Sequence, residues 1–598
     1  MLFFPDVYRY EVVPWPDRIF PGGPFPPAPA DYRMQLLHNF AAFQDMHNQT
    51  EIKWDTGTRG IGILVSDTLG WQQGGPAGST MDSFHGLFLP LIKRGIPAEI
   101  VPIERIGDAG YLDEFKVLLL SYDMWKPLYE VYHQYLRDWV KEGGVLLFFG
   151  GADEYNKVQE WWRESGYERP QDHLLETLGI KIESAKELTT PTVPGMHVLK
   201  AGIENNLTRK LVKLGVAPKF AEEGLIIPGG EEEVPYLYEV GGSGGSWRGV
   251  RFADKYGYFT YQFILPGARA ASVELTIGNN YLVKISGDMR TWTEVLRAEP
   301  EYAEGDVALK NLGPRTINLT PHIGKNGVVY LRFLDASTHD GWGPYLAGVD
   351  LKIEGEVKKP ESLPGDSFGI SPRYTLMGYK TSDTVSLFST QEGYKVIWEK
   401  ELGRGAFIYA GVPSKFFAHH RNNAQVLREL VRYACEKGGI LYEEQHYVKL
   451  RRGKYAIVRA LDGAVSVPGK YLNLFGYDLP VVIDPSFLPG QGGLLYDISG
   501  YSDYDVPRIL FSSLRLVQKN ETRETTSFTI HSAQGTTAVC RIYGGKHFPK
   551  SIKAYQQNQP WPVDSIWNSD TKTLLIKFDG HVGGIKVEIN WSEQKKGI

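Results

Sequence analysis

The residues of this chain best suited to chemistry are few and far apart. "YRYEVVPWPDRIFPGG", residues 8 to 23, sets one carboxylate, Glu11, in a short apolar strand and places Trp15 between two prolines. Barrel enzymes carry their sites at the carboxyl ends of strands, and a flat indole is a surface on which a sugar ring stacks. Cleaving a glycosidic bond takes two carboxylates on opposite sides of it, so Glu11 alone is half of such a site. Asp153 and Glu154 form an acidic pair, but at the start of a helix such residues are caps far more often than catalysts.

Three aromatic candidates lie elsewhere. The loop "SDTLGWQQGGPAGST", residues 66 to 80, holds Trp71 and follows a buried strand at the usual ligand position of open sheets; it has neither GxGxxG nor a P-loop lysine. Trp342 and Tyr345, on the Gly/Pro-rich stretch "HDGWGPYLAG", suit an exposed sugar platform oriented by His339 and Asp340, while Trp292 and Trp342 equally suit plugs of a sandwich core. Metal ligands are not indicated, because the 14 histidines are scattered and His419 and His420 are adjacent rather than spaced to face one ion. Only Cys435 and Cys540 are present, which excludes a disulfide framework and a cysteine-rich zinc site. No cofactor is expected, and a structural calcium in a β-sandwich stays open.

These residues must be positioned by several domains, since single cores stop growing at roughly 250 to 300 residues and the chain has 598. After the opening strand and a Pro-rich loop, residues 33 to 46 carry Leu36, Leu37, Phe40, Ala41 and Phe43 mostly on one helical stripe. A lone strand-helix unit leaves Phe3, Phe4, Val7, Val12 and Val13 without a core of their own, so another surface is expected to cover them. From residue 60, near-continuous apolar strands ("IGILVSD", "PAEIVPI", "FKVLLLSYD", "VLLFFGG") alternate with helices over 83 to 95, 128 to 144 and 155 to 164, the first broken or kinked at Pro90. That pattern predicts a doubly wound, flavodoxin-like parallel sheet covered on both faces. Residues 205 to 360 turn to alternating strands and short turns, which predicts a sandwich, and "GRGAFIYAGV" with the helix over 422 to 437 then resumes the α/β pattern. Residues 441 to 598 read as a second, carboxyl-terminal β-sandwich.

A formal net charge of -5 gives no electrostatic case for nucleic acid or an anionic membrane. The 13% of aromatic residues suits either sugar-stacking surfaces or aromatic cores. No apolar run reaches the ~20 residues of a membrane span, and "MLFFPDVYRY" has no signal-peptide pattern, so a cytoplasmic location is the default expectation.

The stretch from "IGILVSDTLGWQQGG" through "FKVLLLSYD" and "KEGGVLLFFGG" resembles the glutamine-amidotransferase-like trimerisation domain that follows the catalytic barrel in family 42 beta-galactosidases and related large glycoside hydrolases. "YLVKISGDMRTWTEV", with Ser286, Asp288 and Trp292 on its turn, resembles the galactose-binding-like jelly rolls used as carbohydrate-binding modules. The resemblance implies four parts: a barrel-terminal strand-helix unit over 1 to 55, an amidotransferase-like α/β domain over 56 to 204 and 365 to 440, an inserted jelly roll over 205 to 360, and a β-sandwich over 441 to 598. It implies a carbohydrate-active protein of glycoside hydrolase type, with Glu11 as the catalytic carboxylate and Trp15, Trp71, Trp342 and Tyr345 as sugar contacts. The expected partners are a polysaccharide or oligosaccharide substrate and either further copies or a barrel-bearing subunit that completes the site. The alternative is a noncatalytic carbohydrate-binding or scaffold protein. Amidotransferase chemistry does not carry over, since the turn after "VLLLS" offers Tyr122 and Asp123 where the thiolate nucleophile would stand, and the late histidines lack a glutamate partner.

Overall fold

The computed structural model describes residue 19 and residues 26–593, except 72–77, 190–195, 203–204, 216–218, 242–243, 248, 256, 301–310, 338–342, 359–366, 371–372, 419–420 and 533–534. The protein is multidomain, mixing an α/β sheet with β-sandwiches, and contacts divide it into two compact units. One unit is Arg59–Ile92 with Ala98–Tyr442; the other joins the residues up to Thr58, Lys93–Pro97 and Glu443–Ile598.

In the first unit the strands Ile61–Val65, Glu99–Pro102, Val117–Ser121, Val145–Phe149 and Gly405–Ala410 run parallel. Counted along the chain, their spatial order is 2-1-3-4-5, and antiparallel strands extend the sheet beyond Gly405–Ala410. Every residue of Val117–Ser121 and Val145–Phe149 is buried, as expected of parallel strands covered on both faces. The helix Val131–Lys141 turns Tyr132, Leu136 and Val140 into this core, and it stops before Gly143, whose φ of 120° a side chain would oppose. The helix expected over 155 to 164 is instead two short turns, Glu154–Lys157 and Trp161–Glu164, because Val158 between them is extended. The helix Gly78–Ile92 runs through Pro90, where the missing N–H removes one bond in the last turn. In that helix a Cβ on Gly86 would stand 1.9 Å from the carbonyl oxygen of Ser414, so glycine is what allows the two segments to meet.

Two sheets between Gly224 and Glu354 face each other across a core that includes Phe259, Phe263, Leu275, Val283, Leu331 and Val349. The strands Tyr258–Ile264, Tyr281–Ser286 and Val328–Leu334 are neighbours in one sheet. A buried ion pair ties the preceding loop to the sandwich. Arg251 donates from Nε and Nη2 to the two carboxylate oxygens of Glu233, each at 2.5 Å, while the Gly229 N–H and the Tyr261 hydroxyl also donate to Glu233.

In the second unit, Tyr447–Arg452 pairs with Tyr455–Ala460 on one side and with Ile52–Asp55 on the other. A sandwich of a four-stranded and a five-stranded sheet over 508 to 593 completes it, packed around Phe528, Cys540, Ile576 and Val587. The helix Ala30–Met46 shares a core with this unit, where Met34, Ala42 and Met46 meet Leu450, Leu472 and Leu510. The buried stripe is thus Met34, His38, Ala42 and Met46, at spacings of four, together with Leu36; Phe40, expected inside, is 38% exposed. Bulk suggested the first stripe, but the face that docks is set by the partner sheet. The opening strand with Glu11 and Trp15 lies outside the described residues.

Candidate functional site

Two places gather polar groups. The first is the carboxyl edge of the parallel strands. Strand order reverses between Ile61–Val65 and Val117–Ser121, whose onward connections lead to opposite sides, and open sheets hold ligands at such a switch point. Ser66 follows the first strand and donates to Glu104 at 2.5 Å, and Thr68 donates to the Lys126 carbonyl at 2.9 Å. Asp123 follows the other strand, buried, and accepts from the Ser414 N–H at 3.0 Å. Burial pushes its carboxyl above the ordinary range and the Asp153 charge adds to this, against the Ser414 N–H and the Lys126 ammonium.

Lys126, 3% exposed, donates from Nζ to the Tyr122 carbonyl at 2.6 Å and to Asp153 at 2.8 Å. Burial lowers its pKa, and the Asp153 carboxylate opposes that. Asp153 also accepts from the Met124 N–H at 2.6 Å and caps the Glu154–Lys157 turn through the Tyr155 N–H at 3.0 Å. Glu154 points to solvent, so the acidic pair does not converge. Perturbed groups of this kind often mark active sites, but both aspartates and the ammonium here are committed to each other and to backbone. They hold Met124 at a φ of 70°, which locks the turn after Val117–Ser121. Beside it Tyr122 and His133 Nε2 hydrogen-bond at 2.7 Å, and His133 Nδ1 meets His173 Nδ1 at 2.8 Å. Sequence reading passed over Lys126, His133 and His173; the only signal was their place just past apolar strands or on a buried helix face.

Neither thiol stands at this edge. Cys435 lies in the helix Arg421–Lys437 and Cys540 in the strand Thr537–Tyr543, both buried, and burial pushes each up to about 12.

The second place is a cavity of 690 Å³ beside the inserted sandwich, lined by the turn Gly287–Thr291, by His322 and Lys325, and by Thr189 and Thr375 from neighbouring segments. Its turn is built by Asp288, whose Oδ1 accepts from the N–H groups of Arg290 and Thr291, each at 2.8 Å, and from the Ser286 hydroxyl at 3.0 Å. Those two N–H groups hold the carboxyl below its ordinary range. Thr291, Thr293, Thr375, Asn326, Tyr238 and Tyr330 line the same space. Such a mixture of short polar groups and aromatic surface can hold a polyhydroxylated molecule. Trp292 is half-buried with the Arg332 guanidinium 4.3 Å over its ring, and packs on the Phe220, Ile264 and Val328 cluster.

Of the sugar contacts expected from sequence, Tyr345 is the first residue of the strand Tyr345–Glu354, paired with Phe252 and Gly278, rather than part of a loop platform. Trp71 ends the short helix Thr68–Trp71. Glu11, Trp15 and Trp342 lie outside the described residues, as do His419 and His420. An aromatic surface not anticipated is Trp247, 62% exposed at the end of the edge strand Gly244–Trp247. Among the described residues no group of three His, Cys, Asp or Glu side chains is placed to hold a metal, and no helix is long and apolar enough to cross a membrane.

No family model and no curated protein matches the chain. Among solved structures it is similar to the beta-galactosidase of Bacillus circulans sp. alkalophilus, at 10% identity and a TM-score of 0.28, over 74% of this chain and 42% of that one. It is also similar to a GH42 beta-galactosidase from G. stearothermophilus, at 9% identity and a TM-score of 0.29, over 74% of this chain and 40% of that one. A third is the beta-galactosidase from Rahnella sp. R3, at 9% identity and a TM-score of 0.28, over 73% and 41%. The chain thus spans about two fifths of their length, and the likeness is a coarse one of fold alone.

Proposed function

We propose that this is a carbohydrate-active protein of glycoside hydrolase type, and that the chain described here contributes carbohydrate binding rather than bond cleavage. The observation that carries this reading is the cavity beside the sandwich, with its threonine hydroxyls, Asn326 amide and tyrosine rings. The strand order 2-1-3-4-5 supports reading the α/β sheet as flavodoxin-like and, with the sequence resemblance, as amidotransferase-like. The inserted sandwich is read likewise as a galactose-binding-like module. Glu11 with Trp15, and Trp71, Trp342 and Tyr345, stay proposed sugar contacts. Purified protein is expected to be retarded in native gels containing polysaccharide while releasing no sugar from a panel of glycosides. Steady turnover would make the chain an enzyme in its own right, and no retardation by any polysaccharide would remove the binding role.

The resemblance to a trimerisation domain leads us to propose assembly as well, either with further copies or with a barrel-bearing subunit whose second carboxylate would complete a site around Glu11. Light scattering on the chain, alone and after co-purification from its source, is expected to give a mass above that of one 67.2 kDa chain. A monomer under both conditions overturns the assembly.

A further inference from the structure

We infer that the cavity beside the inserted sandwich selects an anionic saccharide, one bearing carboxylate or sulfate groups. This deepens the carbohydrate-binding reading and rests on it.

The chain carries a formal charge of -5, yet the described residues lining this cavity have an excess of cations. Arg290 and Lys325 approach it from two different loops of the sandwich, the turn after Tyr281–Ser286 and the segment before Val328–Leu334, and His322 lies alongside. Among the described residues that line it, Asp288 is the only carboxylate, and its Oδ1 is taken up by the donors that build the turn. Among the described residues Arg290 and Lys325 form no side-chain hydrogen bond or ion pair, and the one charge facing Arg290 is that of Asp288, two residues away; the neighbouring Arg297, by contrast, is held by both Glu294 and Glu299.

Two cations converging on one space from separate loops, against the single Asp288 carboxylate, leave an excess of positive charge that attracts an anion, and a guanidinium presents a fork matched to a carboxylate or sulfate. The threonine hydroxyls around them supply what a bare anion does not need and a sugar does: short donors and acceptors for ring hydroxyls. A neutral saccharide would leave that excess charge unmatched; a nucleic acid, whose phosphates also accept from threonine hydroxyls, is the competing polyanion that the polythymidylate probe separates.

The test is affinity electrophoresis and calorimetry on the full chain with four probes: polygalacturonate, dextran sulfate, unmodified dextran and a single-stranded polythymidylate. The expected result is binding to polygalacturonate, dextran sulfate or both, with the two arms identifying the anionic group, and loss of affinity as salt shortens the screening length below about 8 Å. Arg290→Ala and Lys325→Ala are each expected to weaken binding about tenfold, the value of one charge-assisted contact. Both side chains are exposed, so neither change threatens the fold. Arg297→Ala, a cation of the same sandwich outside the cavity, should leave affinity unchanged. Binding of unmodified dextran as tight as that of the anionic probes, or an Arg297→Ala loss equal to that of Arg290→Ala, overturns the anionic selectivity and leaves carbohydrate binding standing. Equal binding of polythymidylate overturns the saccharide assignment, and silence with all four probes removes both readings.

Discussion

Replacing Glu233 with alanine is expected to lower the melting temperature of the unit that holds the inserted sandwich by on the order of 10 °C. Glu233 is 1% exposed and Arg251 is 7% exposed, and the pair is bidentate. Removing the carboxylate leaves a guanidinium in the interior without a counter-charge and strips acceptors from the Gly229 N–H and the Tyr261 hydroxyl. Breaking a buried pair in this way typically costs about 3 to 5 kcal/mol, more than the pair itself contributes over an apolar replacement. The paired replacement Glu233→Met with Arg251→Met should therefore recover much of the loss. Differential scanning calorimetry on the full chain reads both variants. A Glu233→Ala melt that overlays the parent would show that the pair does not hold the loop to the sandwich.

Acid should loosen the other unit through His38, which lies fully buried in the helix Ala30–Met46 and bonds from Nδ1 to the Leu474 carbonyl at 2.9 Å. Burial is the main cause that lowers its pKa to about 4, with the Leu474 carbonyl and the Asp478 charge opposing. The sign follows from which state takes the proton. Between 6.5 and about 4 the unfolded chain is protonated at this ring and the folded one is not, so stability is complete above 6.5 and falls as the pH drops toward 4. The full window is worth about 3 kcal/mol. His38→Gln keeps a donor for Leu474 and removes the titration. It should lower stability at pH 7 but flatten its decline between pH 6.5 and 4, read from urea midpoints of parent and variant at matched pH. Comparing the two slopes removes the contributions of His133 and His173, whose pKa values are also lowered by burial in the first unit. Equal slopes would show that His38 does not carry the acid sensitivity.

Sequence reading reached particular elements well where burial on both faces left a continuous apolar signature. "FKVLLLSYD" and "VLLFFGG" contain the strands Val117–Ser121 and Val145–Phe149, and "GRGAFIYAGV" contains Gly405–Ala410. It was weaker where an extended residue divides an expected helix, as at Val158, because periodicity does not see a single residue leaving helical geometry. Asp288 was noted as a polar group on a turn, and the structure shows its oxygen engaged in building that turn. Tyr345 was read from its Gly/Pro surroundings as loop, yet cross-strand pairing with Phe252 and Gly278 extends the strand to include it.

By itself, then, the sequence determined local matters: which segments alternate or run apolar, that no cysteine follows the Val117–Ser121 strand, and that the charge balance gives no general pull toward polyanions. Tertiary structure alone decided which distant segments meet. Gly405–Ala410 lies beside Val145–Phe149, more than 250 residues away in the chain, and Ala30–Met46 buries His38 against Leu474. It also decided that Lys126 is paired inside the sheet edge while Arg290 and Lys325 are left to face a common cavity. The physical reason is that periodicity records only whether a face is buried. What covers that face, and so whether a charge finds a partner or stays available to a ligand, depends on contacts between residues that the chain order keeps apart.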